Sequence, residues 1–225
     1  ARRRLKAIEE FSDLGSGFNI AMQDLDIRGA GNLLGAEQSG FIMDMGYETY
    51  QKILAEAMEE LGVETGISTA RTEESFVEDC TIETDQPAMI PDSYIDITAE
   101  KIRIYKQLDS MTSDKEIDRV KSQLEDRFGE MPQDADNLFY VVKIRNLGGS
   151  LGFEKIIIKN GMMIMFFIAN QMSPYYKSKV FSGILQNINA NDQLFNLKQS
   201  EGKLKIVSRG IDSLPKALQT LNKLK

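Results

Sequence analysis

Histidine and tryptophan are both absent, and cysteine occurs once in 225 residues. Without an imidazole, the Ser-His-Asp and Cys-His catalytic arrangements and the common zinc ligand sets are excluded. A lone Cys80 allows no internal disulfide, so a reducing compartment is the simpler expectation. Its acidic neighbours Glu78, Asp79 and Glu83 raise a thiol's pKa, which argues against a reactive thiolate. No apolar run approaches the roughly 18 residues of a membrane span, and the opening Ala-Arg-Arg-Arg-Leu-Lys lacks the apolar core of a signal peptide. The expectation is therefore a cytoplasmic chain without a membrane partner. Also missing are a Gly-x-x-x-x-Gly-Lys-Ser/Thr phosphate loop, the Asp/Asn ladder of a calcium loop and a spaced metal-ligand cluster. Taken alone, such a chain is not expected to be an enzyme, nor to bind a metal or cofactor itself.

What is present is an ordinary folded composition, 42% hydrophobic and 27% charged, sufficient for one or two domains. The charge is segregated along the chain. Residues 1–62 carry 6 basic and 11 acidic side chains, residues 63–150 carry 10 and 19, and residues 151–225 carry 11 and 4. An acidic middle and a basic end imply complementary faces or different partners, while a net charge of −7 argues against independent, tight binding of DNA. The basic start without an initiator methionine suggests a piece of a longer protein.

Periodicity gives a coarse organisation. Leu5, Ile8, Phe11 and Leu14 recur at helical steps until Gly15-Ser16-Gly17, and Phe18, Ala21, Met22 and Leu25 resume the spacing, which predicts an antiparallel helical hairpin. Arg4 and Arg28 then both fall about 15 Å from the turn, at the same end. Spacing alone leaves open whether they are solvated or functional. A glycine-rich loop follows, with Gly29, Gly31, Gly35 and Gly40. Its Gly-x-Gly-x-x-x-Gly spacing misses the dinucleotide fingerprint by one residue, and no buried strand precedes it. Tyr50, Ile53, Leu54, Ala57, Met58 and Leu61 predict a long amphipathic helix that Gly62 ends, and the polar stretch 63–75 reads as a linker.

Beyond it, 76–82 reads as a strand. Helices are predicted over 97–111, over 115–128 with Asp114 as cap and Gly129 as stop, and from Pro132 through Leu147, together a helical bundle. Runs 153–158 and 161–168 around Asn160-Gly161 predict a hairpin, with Met162 to Phe167 as a central strand buried on both faces. A helix over 177–188, a second hairpin around Glu201-Gly202 and a closing helix over 211–224 complete the chain. The expected class is α+β. Its domains would be 1–62, a 63–75 linker, and a 76–225 domain holding the bundle and a small, mostly antiparallel sheet.

The run from Arg4 through Asp13-Leu14-Gly15-Ser16-Gly17 and Asp24-Leu25-Asp26-Ile27-Arg28-Gly29-Ala30-Gly31-Asn32-Leu33-Leu34-Gly35 to Gln38-Ser39-Gly40 resembles the translocation motif shared by RecG helicases and bacterial transcription-repair coupling factors. Ile90-Pro91-Asp92-Ser93-Tyr94-Ile95, Arg103-Ile104-Tyr105-Lys106 and Leu124 to Pro132 resemble the C-terminal domain of the coupling factors, which RecG lacks. The resemblance implies that residues 1–45 couple ATP hydrolysis by an upstream superfamily 2 motor to movement on double-stranded DNA. Arg4, Arg28 and Gln38 would be the coupling residues, with Gly29, Gly31 and Gly35 shaping the loop. ATP and magnesium would belong to the full-length motor. It further implies removal of stalled RNA polymerase at lesions and recruitment of UvrA. The 76–225 domain would be autoinhibitory, masking the UvrA-binding surface of an N-terminal UvrB-like module, with Gln123, Asp126 and Arg127 at the regulatory interface. The exposed face of the 115–128 helix would present Asp118 and Lys121 beside them. Two other readings stay open: a free-standing nucleic-acid or protein adaptor whose basic end, with Lys177, Lys179, Lys198, Lys203, Lys205 and Arg209, touches nucleic acid, and the C-terminal end of a RecG-type helicase.

Overall fold

In the computed structural model, residues 76–225 are described apart from residues 78, 201 and 202. The expected helical hairpin, its glycine loop, the long helix and the 63–75 linker lie outside the described residues. Backbone contacts divide the chain into two units, 1–70 with 91–106, and 71–90 with 107–225.

Of the first unit, 91–106 is described. Pro91 cannot donate from its own nitrogen, and its carbonyl accepts from the amides of Tyr94 and Ile95 in a tight turn. Helix α1, Thr98–Asp109, begins just beyond it and buries Ile104 and Tyr105. Lys101, itself buried, is paired with Asp92, and Arg103 makes a two-point contact with Glu100 one turn back.

The second unit holds helix α2, Asp114–Phe128, and helix α3, Gln133–Ser150. Helix α2 buries Ile117, Val120 and Leu124 as the spacing predicts, whereas Phe128 stays half-exposed beneath the Arg127 guanidinium, 4.8 Å from its ring centre. Ser113, not Asp114, occupies the N-cap, and no side chain caps the helix there. Asp114 instead places its charge in the first turn, where the helix dipole favours an anion. Gly129 ends the helix at φ 87°, as expected. Pro132 precedes the first turn of α3, again as expected.

Five strands form one sheet in the order β1-β2-β3-β5-β4, with β1 Thr81–Thr84, β2 Phe153–Lys159, β3 Met162–Phe167, β4 Asn196–Ser200 and β5 Lys203–Arg209. Only β1 and β2 run parallel; the other pairings are antiparallel. The β2–β3 turn is the predicted Asn160-Gly161 hairpin, with φ of 53° and 69°, both positive as this two-residue turn requires. The first strand is shorter and later than 76–82, because the ladder begins only where Thr81 meets Lys155. The preceding Cys80 is buried instead against α3, where the absence of a side chain at Gly148 makes room for its sulfur.

The central strand corrects a second expectation. Met163, Met165 and Phe167 are buried, but Ile164 and Phe166 are half-exposed and Met162 is exposed, so β3 buries one face only. On the sheet, α3 packs against β1 and β2, and helix α4, Lys179–Ala190, reaches the covered face of β3 through Phe181, whose ring stands edge-on to Phe167 at 5.5 Å. A short 3₁₀ turn, Pro174–Lys177, precedes α4, so the helix begins later than residue 177. Helix α5, Leu214–Asn222, closes the chain against α3.

Candidate functional site

Of the residues expected to carry function, Arg4, Arg28, Gln38, Gly29, Gly31 and Gly35 lie outside the described residues. Gln123, Asp126 and Arg127 are described. Their spacing of three and four residues sets them on one stripe of α2, and all three are exposed.

The stripe is held by charges that sequence reasoning assigned to the wrong task. Asp118 and Lys121, expected on the free face, are both paired with α3; Asp118 is exposed there as expected, whereas Lys121 is half-buried. Lys143 Nζ donates to Asp118 Oδ1 at 2.5 Å, and Lys121 pairs with Asp136. The two pairs cross in opposite sense, an acid of α2 to a base of α3 and a base of α2 to an acid of α3. They fix the register of the helices while Ile117, Val120 and Leu124 are buried between them and the core. Each spans 15 or 25 residues, so neither shows in local spacing. Outward on α2 are the Gln123, Asp126 and Arg127 stripe, the paired Asp118, and Asp114, Lys115, Glu116, Arg119, Ser122 and Glu125.

The other end of α3 carries a deeper pair. Arg145, 4% exposed, pairs with the Asp109 carboxylate and donates from Nη2 to the Asp109 carbonyl at 2.9 Å. Its first turns are tied to the segment after β1: Asn137, buried, donates from Nδ2 to the Pro87 carbonyl at 2.8 Å and accepts from Gln133. The Met89 amide donates to the Asp134 carbonyl at 3.0 Å. These polar anchors satisfy groups that burial would otherwise leave unpaired. Asn137 and Arg145 flank the mostly apolar run Leu138 to Ile144, and a polar residue at each edge of that run is the sequence signal that points to them.

Burial pushes the Cys80 thiol well above its ordinary range, and Asp79 adds to the shift while Arg145 opposes it. The thiol is thus inert, as its acidic neighbours suggested, although burial is the larger cause. Glu83 behaves oppositely. Hydrogen bonds from Lys155 and then Lys159 hold its carboxyl below the ordinary glutamate value. Among the described residues, no group of three or more metal-ligating side chains comes together, and no helix is long and apolar enough to cross a membrane.

The fold, a mixed sheet covered on one face by helices, and its charged α2 stripe fall in a segment with recognisable relatives. Residues 84–178 match the TRCF domain, which defines the class of the described region. The chain is 44% identical over 145 residues to the transcription-repair-coupling factor of Bacillus subtilis, a match that covers 64% of this chain and 12% of that protein. It is 34% identical over 177 residues to the transcription-repair-coupling factor of Escherichia coli, covering 77% of this chain and 15% of that protein. A crystal structure of the C-terminal domain of transcription-repair coupling factor is similar in fold, with a TM-score of 0.55 at 16% identity, over 65% of this chain and 89% of that one. The chain belongs to the transcription-repair coupling factor family, of which it is a fragment.

Proposed function

We propose that this chain joins an upstream ATP-driven motor to a regulatory domain in a transcription-repair coupling factor. On this reading residues 1–45 convert hydrolysis at the motor, with its ATP and magnesium, into movement along double-stranded DNA. Arg28 and Gln38 sense closure of the motor lobes, and Arg4 holds the hairpin. The whole protein acts in the cytoplasm, removes stalled RNA polymerase at a lesion and presents a surface to UvrA. The 76–225 domain keeps that surface masked by contacting a UvrB-like module nearer the N-terminus until the motor engages.

The observation that carries the regulatory half is the α2 stripe. Asp118 and Lys121 are taken by α3, while Gln123, Asp126 and Arg127 stay exposed on a rigid helix. A small polar rim on a rigid support suits an interface that must release, because exposed charges govern association rate and salt sensitivity more than affinity. In the full-length protein, the variant Asp126→Arg with Arg127→Glu is expected to expose the module and raise UvrA capture severalfold at low salt. Unchanged capture, with the fold intact by circular dichroism, would overturn the α2 assignment.

The motor half is tested separately by Arg28→Ala in the full-length protein. DNA-dependent ATP hydrolysis is expected to persist while displacement of a triplex-forming strand fails. Loss of neither activity removes Arg28 from the coupling.

A further inference from the structure

The face of the sheet turned away from the described helices is basic, and several of its cations have no carboxylate partner among the described residues. The register places Lys155, Phe166, Lys205 and Lys198 directly opposite one another in one row across β2, β3, β5 and β4. The adjoining row is apolar, Ile157, Ile164 and Val207, all half-exposed. Lys203 and Arg209 extend the face along β5, both exposed. Glu83 is engaged by Lys155 at 2.5 Å and Lys159 at 3.2 Å. Lys198, Lys203, Lys205 and Arg209 make no ion pair with any described carboxylate.

Two features of this face select a ligand. Lys198 and Lys205 stand directly across from each other, an arrangement of like charges that destabilises a strand pair unless an anion lies between them. Beside them Phe166 is half-exposed on the central strand, with the Lys205 ammonium 5.7 Å from its ring centre. A planar ring and an anion are thus accommodated at neighbouring positions. An acidic peptide supplies the anion without the ring, whereas each nucleotide supplies both. A rigid duplex hides its base faces and leaves Phe166 nothing to stack on. We propose that the open face of this sheet binds single-stranded nucleic acid. One base stacks on Phe166, displacing Lys205 toward the phosphate it then shares with Lys198, and the strand continues over β5 past Lys203 and Arg209. This assignment stands apart from the motor coupling and from the α2 interface.

The test uses the whole 225-residue chain and a fluorescein-labelled twelve-nucleotide oligo(dT), followed by anisotropy, with oligo(U) of the same length to separate DNA from RNA. With four cations engaged, affinity is expected to fall about fifty-fold between 50 and 200 mM salt. The double variant Lys198→Glu with Lys205→Glu is expected to weaken binding at least about twenty-fold, and Phe166→Leu, which retains the apolar bulk but not the ring, about fivefold or more. Because Lys198 is exposed and Lys205 only half-buried, the double variant is expected to keep its fold, checked by circular dichroism, and the proposal remains falsifiable even if Phe166→Leu does not fold. Binding unchanged in the double variant, a duplex bound more tightly than oligo(dT), or oligo-glutamate bound as tightly as either strand would each overturn the assignment.

Discussion

Helices α2 and α3 and the strands β3, β5 and β4 handle charge in opposite ways. Between the helices each inward charge meets its opposite: Lys121 with Asp136, Lys143 with Asp118. Across the strands cation faces cation, Lys205 against Lys198. In the first region charge serves the fold and sets a register. In the second it opposes the fold slightly and is available to something outside it. The difference teaches that a list of charged residues says little about function until the internally paired ones are set aside.

That comparison can be broken or sharpened by substitution. The largest effect is expected from Arg145→Ala, which leaves the Asp109 carboxylate partly buried without its guanidinium; a loss of about 3 to 5 kcal/mol in urea unfolding would fit. Gly152→Ala should follow at about 3 kcal/mol. Gly152 adopts φ 82°, and an added Cβ would lie 2.1 Å from the ring of Tyr175, which is fully buried and held by its hydroxyl to the Leu151 carbonyl. The same variant is expected to disturb near-ultraviolet circular dichroism from the aromatic cluster around Tyr175. In contrast, Lys198→Thr on the sheet should stabilise, by about 0.5 kcal/mol, since it relieves a like-charge pair and adds a β-branched residue. A destabilising result there would show that the strand charges are paired after all.

The smallest effect concerns Glu83. Its folded-state pKa is depressed, so its stabilising contribution is present above the unfolded value, near 4.3, and is lost as pH falls through the folded value. Glu83→Gln should therefore melt slightly below the wild type at pH 7, and the two melting curves should converge at about pH 3. A gap that persists in acid would assign the effect to packing.

Local signals decided most of the fold. The Asn160-Gly161 turn, Gly129 and the spacing of Ile117, Val120 and Leu124 all depend on neighbours in sequence, and all emerge in place. What was not legible depends on partners far along the chain. Strand β1 begins at Thr81 because β2 is irregular between Phe153 and Lys155 and pairs with it only from Lys155 onward, and the half-open face of β3 reflects which side the helices cover. The same reason explains the candidate site. The Gln123, Asp126 and Arg127 stripe follows from helical spacing, whereas the pairing of Asp118 and Lys121 with α3 required knowing where Asp136 and Lys143 fall.

The one parallel pairing has a consequence for assembly. Strand β1 and its partner β2 are separated in the chain by residues 85–152, which include α1, α2 and α3. A hairpin such as β2–β3 closes over two residues, but β1 can zip onto β2 only after a loop of that length has been brought round, so its contacts have high sequence separation and form late. As one of the sheet's two terminal strands, with a neighbour on one side only among the described residues and the shorter of the two at four residues, β1 should also detach early. The place where the upstream segment enters this unit is thus its last-formed seam, and amide exchange at Thr81 to Thr84 should run faster than at Ile156 to Ile158.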